Sequence, residues 1–332
     1  MTQKIKWGVL STAKIALQKV IPALQKSQYC EVSAIASRTL EKASQAAHDL
    51  DIVKHYGSYE ELLEDPEIEA IYNPLPNHMH VYWTMKALEA GKHVLCEKPI
   101  GMNTEEAQAL AEALKNFANL KVMEAFMYRF HPQWEKVFEL VKNGAIGEVK
   151  TMQSFFSYFN IDPQNIRNQA DIGGGALMDI GCYCASFPRF IFEEEPVQVV
   201  GHMEFDPVMK TDHLTMGMLQ FPSGKTASFT CSTQLIPFQQ TNIFGDEGHI
   251  CIQIPVNAPP DASTQITLRT REKTEAFTFP PVDQYTLQGD AFSQAILQNT
   301  TVPTPLTDAI GNMKVIDGLV ESTQNRQWIT LG

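Results

Sequence analysis

The sequence is poor in the features that mark several function classes. Cations are outnumbered, with 26 Lys and Arg against 38 Asp and Glu in 332 residues and a formal net charge of −12. A basic face for nucleic acid or an anionic membrane surface is therefore not expected, although one local cationic pocket for a phosphate-bearing small molecule stays open. No uncharged apolar run is long enough to span a bilayer. A strand pattern begins by Ile5, with no long apolar run or small-residue cleavage site before it, so no signal peptide is expected. The six cysteines, Cys30, Cys96, Cys182, Cys184, Cys231 and Cys251, include no Cys-x-x-Cys pair, and Cys182-x-Cys184 is too tight for the usual zinc spacing. They are expected as reduced, mostly buried thiols in a reducing, cytoplasmic compartment, with no bound metal. Internal repeats and low-complexity segments are also missing. An apolar fraction of 44% and a charged fraction of 19% exclude disordered and fibrous chains, and the length suits two domains with a sizeable core.

What is present falls into two textures. Up to about Ala145, short apolar strands alternate with helical patterns: strands at 4–10, 31–37, 70–73, 93–97 and 121–125, helices at 15–27, 40–50, 59–64, 80–90 and 104–117. Such alternation builds a parallel, doubly wound sheet. After a helix at 131–142, strands follow one another at 149–159, 197–204, 214–221, 225–233, 239–244, 250–254, 265–271 and 274–279. Short turns such as Pro222-Ser223-Gly224 imply antiparallel neighbours. One helix, 176–192, interrupts the run, and helices at 288–298 and 307–325 close the chain. The expected fold is an N-terminal α/β Rossmann domain, residues 1–125, followed by an α+β domain, residues 126–332, with a large, mostly antiparallel open sheet. The last helix is expected to pack back on the Rossmann domain.

Glycine is missing where a dinucleotide fold uses it. Trp7-Gly8-Val9-Leu10-Ser11-Thr12-Ala13-Lys14-Ile15-Ala16 joins the first strand to the first helix, where helix amides and the helix dipole bind phosphates. The G-x-G-x-x-G positions fall on Ser11, Ala13 and Ala16, which are small but not glycine. A turn with no ligand is the plainer alternative. Small side chains at all three places favour the ligand, whose contacts would come from Ser11, Thr12, Ala13, Lys14 and Ile15. The second strand ends in Ser37-Arg38-Thr39, with Lys42 one turn on. NAD-specific folds usually place a carboxylate there for the ribose 2′-hydroxyl. A hydroxyl and a guanidinium suit a 2′-phosphate, so Ser37, Arg38 and Lys42 point to NADP, with Arg38 also able to stack on the adenine.

A second motif, Glu97-Lys98-Pro99, ends the buried strand from His93. A charged pair at the C-terminal end of a central parallel strand lies over a ligand crevice, and an unused buried Lys98 would be costly. With Asn73-Pro74-Leu75-Pro76-Asn77-His78, Glu124-Ala125-Phe126-Met127-Tyr128-Arg129-Phe130-His131-Pro132 and Gly173-Gly174-Gly175-Ala176-Leu177-Met178-Asp179-Ile180-Gly181-Cys182-Tyr183, the chain resembles the glucose-fructose oxidoreductase and inositol dehydrogenase superfamily. The resemblance covers nearly the whole chain, in the family's order of motifs. Within it, the chain looks most like the branch of NADP-dependent D-xylose dehydrogenases and dimeric dihydrodiol dehydrogenases.

The resemblance implies an open C-terminal sheet used for dimer or tetramer formation. It also implies that Pro74, Leu75, Asn77, His78, Glu97 and Lys98 lie at the cofactor, with Pro74, Asn77 and His78 near the nicotinamide. Many superfamily members carry His where Tyr183 stands, but this branch carries Tyr. Asp179 and Tyr183, at i and i+4, share one helix face. A tyrosine transfers a proton well when a cation, here Lys98, stabilises its phenolate. Asp179 is expected to orient a substrate hydroxyl. Glu97 is a candidate for positioning Lys98, and Arg129 and Tyr158 for lining a sugar pocket. The function implied is hydride transfer between NADP(H) and a sugar, an aldose such as D-xylose or D-glucose, or a related diol. The alternatives are a non-catalytic NADP-binding sensor on the same fold, which would need neither Lys98 nor Tyr183, and a trans-dihydrodiol dehydrogenase acting on aromatic diols.

Overall fold

Near-continuous apolar runs, buried on both faces, build all but the edge strand Lys54–Tyr56 of the first sheet of the computed structural model, which describes residues 3–332. Strands β1 (Ile5–Leu10), β2 (Cys30–Ala36), β3 (Lys54–Tyr56), β4 (Ala70–Asn73), β5 (His93–Cys96) and β6 (Val122–Glu124) are all parallel, in the order β3-β2-β1-β4-β5-β6. The order reverses at β1, between β2 and β4. The C-terminal edge beside that reversal is where open parallel sheets bind ligands. The chain divides into two compact units, and this sheet belongs to the first, which runs to Met127 and resumes at Gln284–Ile310.

Side-chain caps set the helix starts. Helix α1 (Ile21–Gln25) continues a π-helical turn, Ala16–Val20. Thr39 accepts from the Lys42 amide at the start of α2 (Leu40–Asp49), and Ser58 from the Glu61 amide at the start of α3 (Tyr59–Glu64). Helix α4 (His80–Glu89) extends a 3-10 turn at Asn77–Met79. Before α5 (Thr104–Leu114), Asn103 accepts from the Glu106 amide at 2.9 Å while Glu106 accepts from the Met102 amide at 2.8 Å, a reciprocal cap.

The second unit, Tyr128–Asp283 with Gly311–Gly332, carries helices α6 (Pro132–Lys142) and α7 (Cys182–Phe192) and a nine-stranded sheet. Its strands are β7 (Val149–Phe159), β8 (Gln198–Phe205), β9 (Asp212–Gln220), β10 (Thr226–Ser232), β11 (Gln234–Gly245), β12 (Gly248–Ile252), β13 (Thr264–Thr270), β14 (Thr274–Phe279) and β15 (Ile329–Thr330). They lie in the order β14-β13-β12-β11-β7-β10-β9-β8-β15. Only the β7–β10 pair is parallel. Met216 and Met218 on β9 are exposed while Thr215, Gly217 and Leu219 are buried, so one face is packed and the other open.

The closing helices are divided between the two units. Helix α8 (Gln284–Leu297) belongs to the first unit, where Ser293 accepts from Trp7 Nε1 at 3.2 Å and Thr286 donates to the Ala23 carbonyl at 2.8 Å. Helix α9 (Leu306–Asn325), from Gly311 onward, lies in the second unit. Its Leu319 sits where Gly201 and Gly217 leave room, and its Ser322 hydroxyl accepts from the Gly201 amide at 2.9 Å. Two glycines facing each other on β8 and β9 make a trough for this helix.

Candidate functional site

In the first unit, the turn between β1 and the first helix bends at Ser11, the first of the positions where glycine is missing. Ser11 has φ 78°, the left-handed region that glycine adopts at least cost. Its hydroxyl accepts from the Ala13 amide at 3.2 Å, and its amide donates to the Ala36 carbonyl at 2.9 Å. That second bond ties the turn to the end of β2, where Ser37 is buried and Arg38 and Lys42 are exposed. The first helical bond runs from the Leu17 amide to the Ala13 carbonyl at 3.0 Å. The amides just before it are those a phosphate meets at a helix start. Burial raises the Tyr59 phenol, and the nearby Arg38 charge works the other way. Arg38 therefore stands close to the first turn of α3.

The loops after β4 and β5 hold the other predicted residues. Tyr72 donates to Glu97 Oε1 at 2.7 Å, and the Glu97 amide donates to the Asn73 carbonyl at 3.0 Å. Lys98 follows, half-buried, and the Lys98–Pro99 peptide is cis. Asn73 donates to the His80 carbonyl and to Thr84 Oγ1, and its Oδ1 accepts from the Leu75 amide. His80 joins the two loops. Its Nε2 lies 2.6 Å from the Leu75 carbonyl and its Nδ1 2.8 Å from the Pro99 carbonyl. Burial lowers it to about 4, while the two carbonyls work the other way. Sequence reasoning chose its neighbour His78 and passed over His80. Asn77 and His78 form the 3-10 turn between these loops and α4.

In the second unit, Asp179 is the meeting point. Tyr158 Oη donates to Asp179 Oδ2 at 2.6 Å, and Arg167 Nε reaches the same oxygen at 2.9 Å. Burial and the Asp179 charge push the Tyr158 phenol up, so it stays a donor. Asp179, foremost, raises the Arg167 guanidinium, and Tyr183 contributes in the same direction. Arg167 was missed at the sequence level. Tyr183 is 5% exposed. Its ring lies between Tyr128 and Phe156, at centroid separations of 6.0 and 6.2 Å. Arg129 donates to Ser186 Oγ at 2.7 Å and to Tyr128 Oη at 3.2 Å, its guanidinium over the Phe190 ring.

Three successive glycines make this arrangement possible. Gly173 ends a 3-10 turn with φ 85°. A side chain on Gly174 would strike the Gln169 and Arg167 carbonyls at 2.6 and 2.7 Å. The Gly175 amide donates to the Arg167 carbonyl at 2.8 Å. The loop bearing Arg167 is thus laid directly on the start of the helix bearing Asp179 and Tyr183. That helix begins as a π-helical turn, Leu177–Gly181, and continues as α7.

The family model for the GFO/IDH/MocA oxidoreductases, described as having an NAD-binding Rossmann fold, matches residues 5–126. The model for the GFO/IDH/MocA C-terminal domain matches residues 134–251. The chain belongs to the GFO/IDH/MocA oxidoreductase family. It is 42% identical to an uncharacterized oxidoreductase from Rhizobium meliloti, over 98% of this chain and 99% of that one. It is 36% identical to a D-xylose 1-dehydrogenase (NADP(+)) from Haloferax volcanii, over 96% and 97%. A 3-ketoreductase from Actinomadura kijaniata, solved with NADP and TDP-benzene, superposes with a TM-score of 0.91 at 28% identity, covering 96% of this chain and 98% of that one. The first unit of this GFO/IDH/MocA member is an NAD(P)-binding Rossmann domain, and the protein is an oxidoreductase acting on CH–OH groups.

Proposed function

We propose that this protein is an NADP(H)-dependent sugar dehydrogenase, taking an aldose such as D-xylose or D-glucose or a closely related diol. The observation that carries the reading is the pairing of Asp179 with Tyr158 and Arg167, one turn before Tyr183. A carboxylate fixed by two donors is a rigid acceptor for a substrate hydroxyl. NADP rather than NAD fits the end of β2, where a hydroxyl and a guanidinium stand in place of a carboxylate beside a turn shaped for a pyrophosphate. Ser11, Thr12, Ala13, Lys14 and Ile15 hold the phosphates. Ser37, Arg38 and Lys42 hold the 2′-phosphate. Pro74, Leu75, Asn77, His78 and Glu97 hold the nicotinamide side.

The bound cofactor supplies the hydride acceptor or donor. In oxidation, Tyr183 takes the hydroxyl proton, Lys98 favours its phenolate, and Asp179 fixes which hydroxyl is presented. Turnover of NADP with a panel of aldoses, inositols and aromatic trans-dihydrodiols tests the reading. Reduction of NADP by at least one aldose is the expected result. Turnover confined to the dihydrodiols moves the substrate class, and NADP binding with no turnover on any of them leaves the sensor.

The open face of the nine-stranded sheet is proposed as a homodimer surface. It carries a shallow cavity of about 560 Å³ bounded by Phe155, Met216, Met218 and Phe238. The last three are each more than two-fifths exposed, and contiguous exposed apolar area of this kind marks association surfaces.

A further inference from the structure

We propose that Asp212, the first residue of β9, is a positioning residue that holds the start of the helix bearing Asp179 and Tyr183. The inference rests on the reading of Tyr183 as the proton-transfer group and adds the element that keeps it in place.

Asp212 is 5% exposed. Its Oδ2 accepts from the Leu177 amide at 2.8 Å and from Thr215 Oγ1 at 2.6 Å. Leu177 opens the π-helical turn on which Asp179 sits, and helix-start amides lack carbonyl partners within the helix. A carboxylate placed there both accepts from them and complements the helix dipole. The backbone opposite is shaped around it. Gly175 has φ 120°, and a side chain on Gly175 would run into Asp212 Oδ1. The rest of the same helix is anchored separately. Toward its far end Arg189 pairs with Glu195 through two bonds of 2.6 and 2.7 Å, and just after the π turn Asn312 donates to the Cys182 carbonyl at 3.2 Å. With that end fixed, loosening at Leu177 would be taken up by the residues between, Asp179 among them.

The charge of Asp212 has a cost that its hydrogen bonds only partly offset. Burial raises its carboxyl to about 6, while Thr215 and the Leu177 and Ala176 amides pull it down. The titratable groups around it are Cys231 on β10 and, grouped with that thiol, Cys182 and Cys184 on α7; burial pushes the Cys231 and Cys184 thiols up. None of these brings a positive charge. A carboxyl raised in the folded state adds stability at low pH and withdraws it as pH rises through about 6. At neutral pH the ionised group is therefore a net burden on folding, and its use is local: the Leu177 amide and the Thr215 hydroxyl both bond Oδ2, and a charged acceptor holds them more strongly than a neutral one. Below about pH 6 the acid form still accepts both bonds on Oδ2, but as a neutral and weaker acceptor.

Two readouts test this, one of them independent of substrate. Amide hydrogen exchange of residues 176–183 in the full chain should show protection at pH 7.5 that falls about tenfold at pH 5, after correction for intrinsic rates, the effect of one hydrogen bond to a charged group. Asp212→Asn should show the lower protection at both pH values. Thr215→Val, a milder change, should move the midpoint of the loss upward, because it removes a bond that lowers the carboxyl. Turnover of D-xylose or the best aldose with NADP should follow the same pattern in kcat, with the NADP Kd unchanged. Protection and kcat in Asp212→Asn equal to wild type at both pH values, or an unmoved midpoint in Thr215→Val, overturns the proposal. Tyr183→Phe run in parallel separates the two readings. If it retains turnover, both fall. If it loses turnover while the Asp212 and Thr215 variants track wild type, only the positioning role falls.

Discussion

The Tyr158 hydroxyl donates to the Asp179 carboxylate across 2.6 Å, and Arg167 reaches the same oxygen at 2.9 Å. One carboxylate oxygen thus receives a neutral and a cationic donor at once, and the two donors come from different segments, the end of β7 and the loop after it. Tyr158→Phe removes one donor without changing the ring. A hydrogen bond to a charged group is worth about 1.5–3 kcal/mol, so kcat/KM for the sugar should fall roughly ten- to hundredfold. The NADP Kd should not move. Steady-state kinetics over varied sugar at saturating NADP checks this, and an unchanged kcat/KM means that Asp179 does not depend on this bond.

Arg38→Ala should weaken NADP far more than NAD. The lost charge-assisted contact is worth about 1.5–3 kcal/mol, so the NADP preference drops roughly tenfold or more. Fluorescence titration with both cofactors measures it. An equal effect on the two removes Arg38 from the 2′-phosphate.

Tyr183→Phe should fold and bind NADP while turnover drops by about 10²–10⁴-fold. Lys98→Met should be similarly impaired, and the double variant little worse than the poorer single one. The pH limb of sugar oxidation that belongs to the coupled pair should vanish in Tyr183→Phe. Near-normal turnover with the limb intact would shift proton transfer to His78 or a bound water.

Ser11 sits at φ 78° without being glycine. Ser11→Gly relieves a left-handed strain of about 1–2 kcal/mol, and the added freedom of the unfolded chain returns about 0.4–1 of it. The glycine also loses the bond from the Ala13 amide to the Ser11 hydroxyl, which offsets the remainder, so thermal unfolding should show only a small change. Ser11→Val, β-branched at positive φ, should lower Tm clearly. A valine variant as stable as wild type would mean that the turn relaxes to another conformation.

Asp65 should give an acid-dependent loss of stability. Burial alone would raise its carboxyl, yet hydrogen bonds from Lys54 at 2.9 Å, the Glu67 amide and Tyr56 hold it at about 2. A carboxyl lowered in the folded state contributes stability above its unfolded value, near 4, and loses it as pH falls towards 2. Asp65→Asn should therefore cost about 1–3 kcal/mol at pH 7, and the gap to wild type should narrow between pH 4 and 2 in urea denaturation. A gap independent of pH would mean that the loss is one of packing.

Much of the fold was legible because buried parallel strands and capped helices leave local marks. The Val94 run, the Asn103–Glu106 pair and the Ser58 cap are all visible as sequence. The three-residue β3 and two-residue β15 are too short to show a period. An apolar stripe such as that of α9 says that a face is buried, not what buries it. The trough that takes Leu319 exists only where Gly201 and Gly217 meet across two strands. In the site, Asp179 and Tyr183 stood out by helical spacing. Arg167 and Asp212 did not, since they lie in a loop and at a strand start, 12 and 33 residues from Asp179. The run Gly173-Gly174-Gly175 was the available signal: Gly174 makes room for the backbone of Arg167 and Gly175 for the carboxylate of Asp212.

The π-helical turns at Ala16–Val20 and Leu177–Gly181 adjoin the phosphate turn and the Asp179 helix respectively. A π turn holds one residue more than the α turn it replaces. In the second case the extra residue separates two demands on one rod, since the side of α7 that enters the core and the direction of Asp179 can be set independently. Removing one residue between Leu177 and Gly181 would restore a regular spiral at little cost in backbone hydrogen bonds. It would also turn everything before the deletion by about a quarter of a circle relative to α7. The resulting protein would be well folded and misaligned, so the role proposed for Asp179 makes the length of this stretch matter apart from the identity of any side chain.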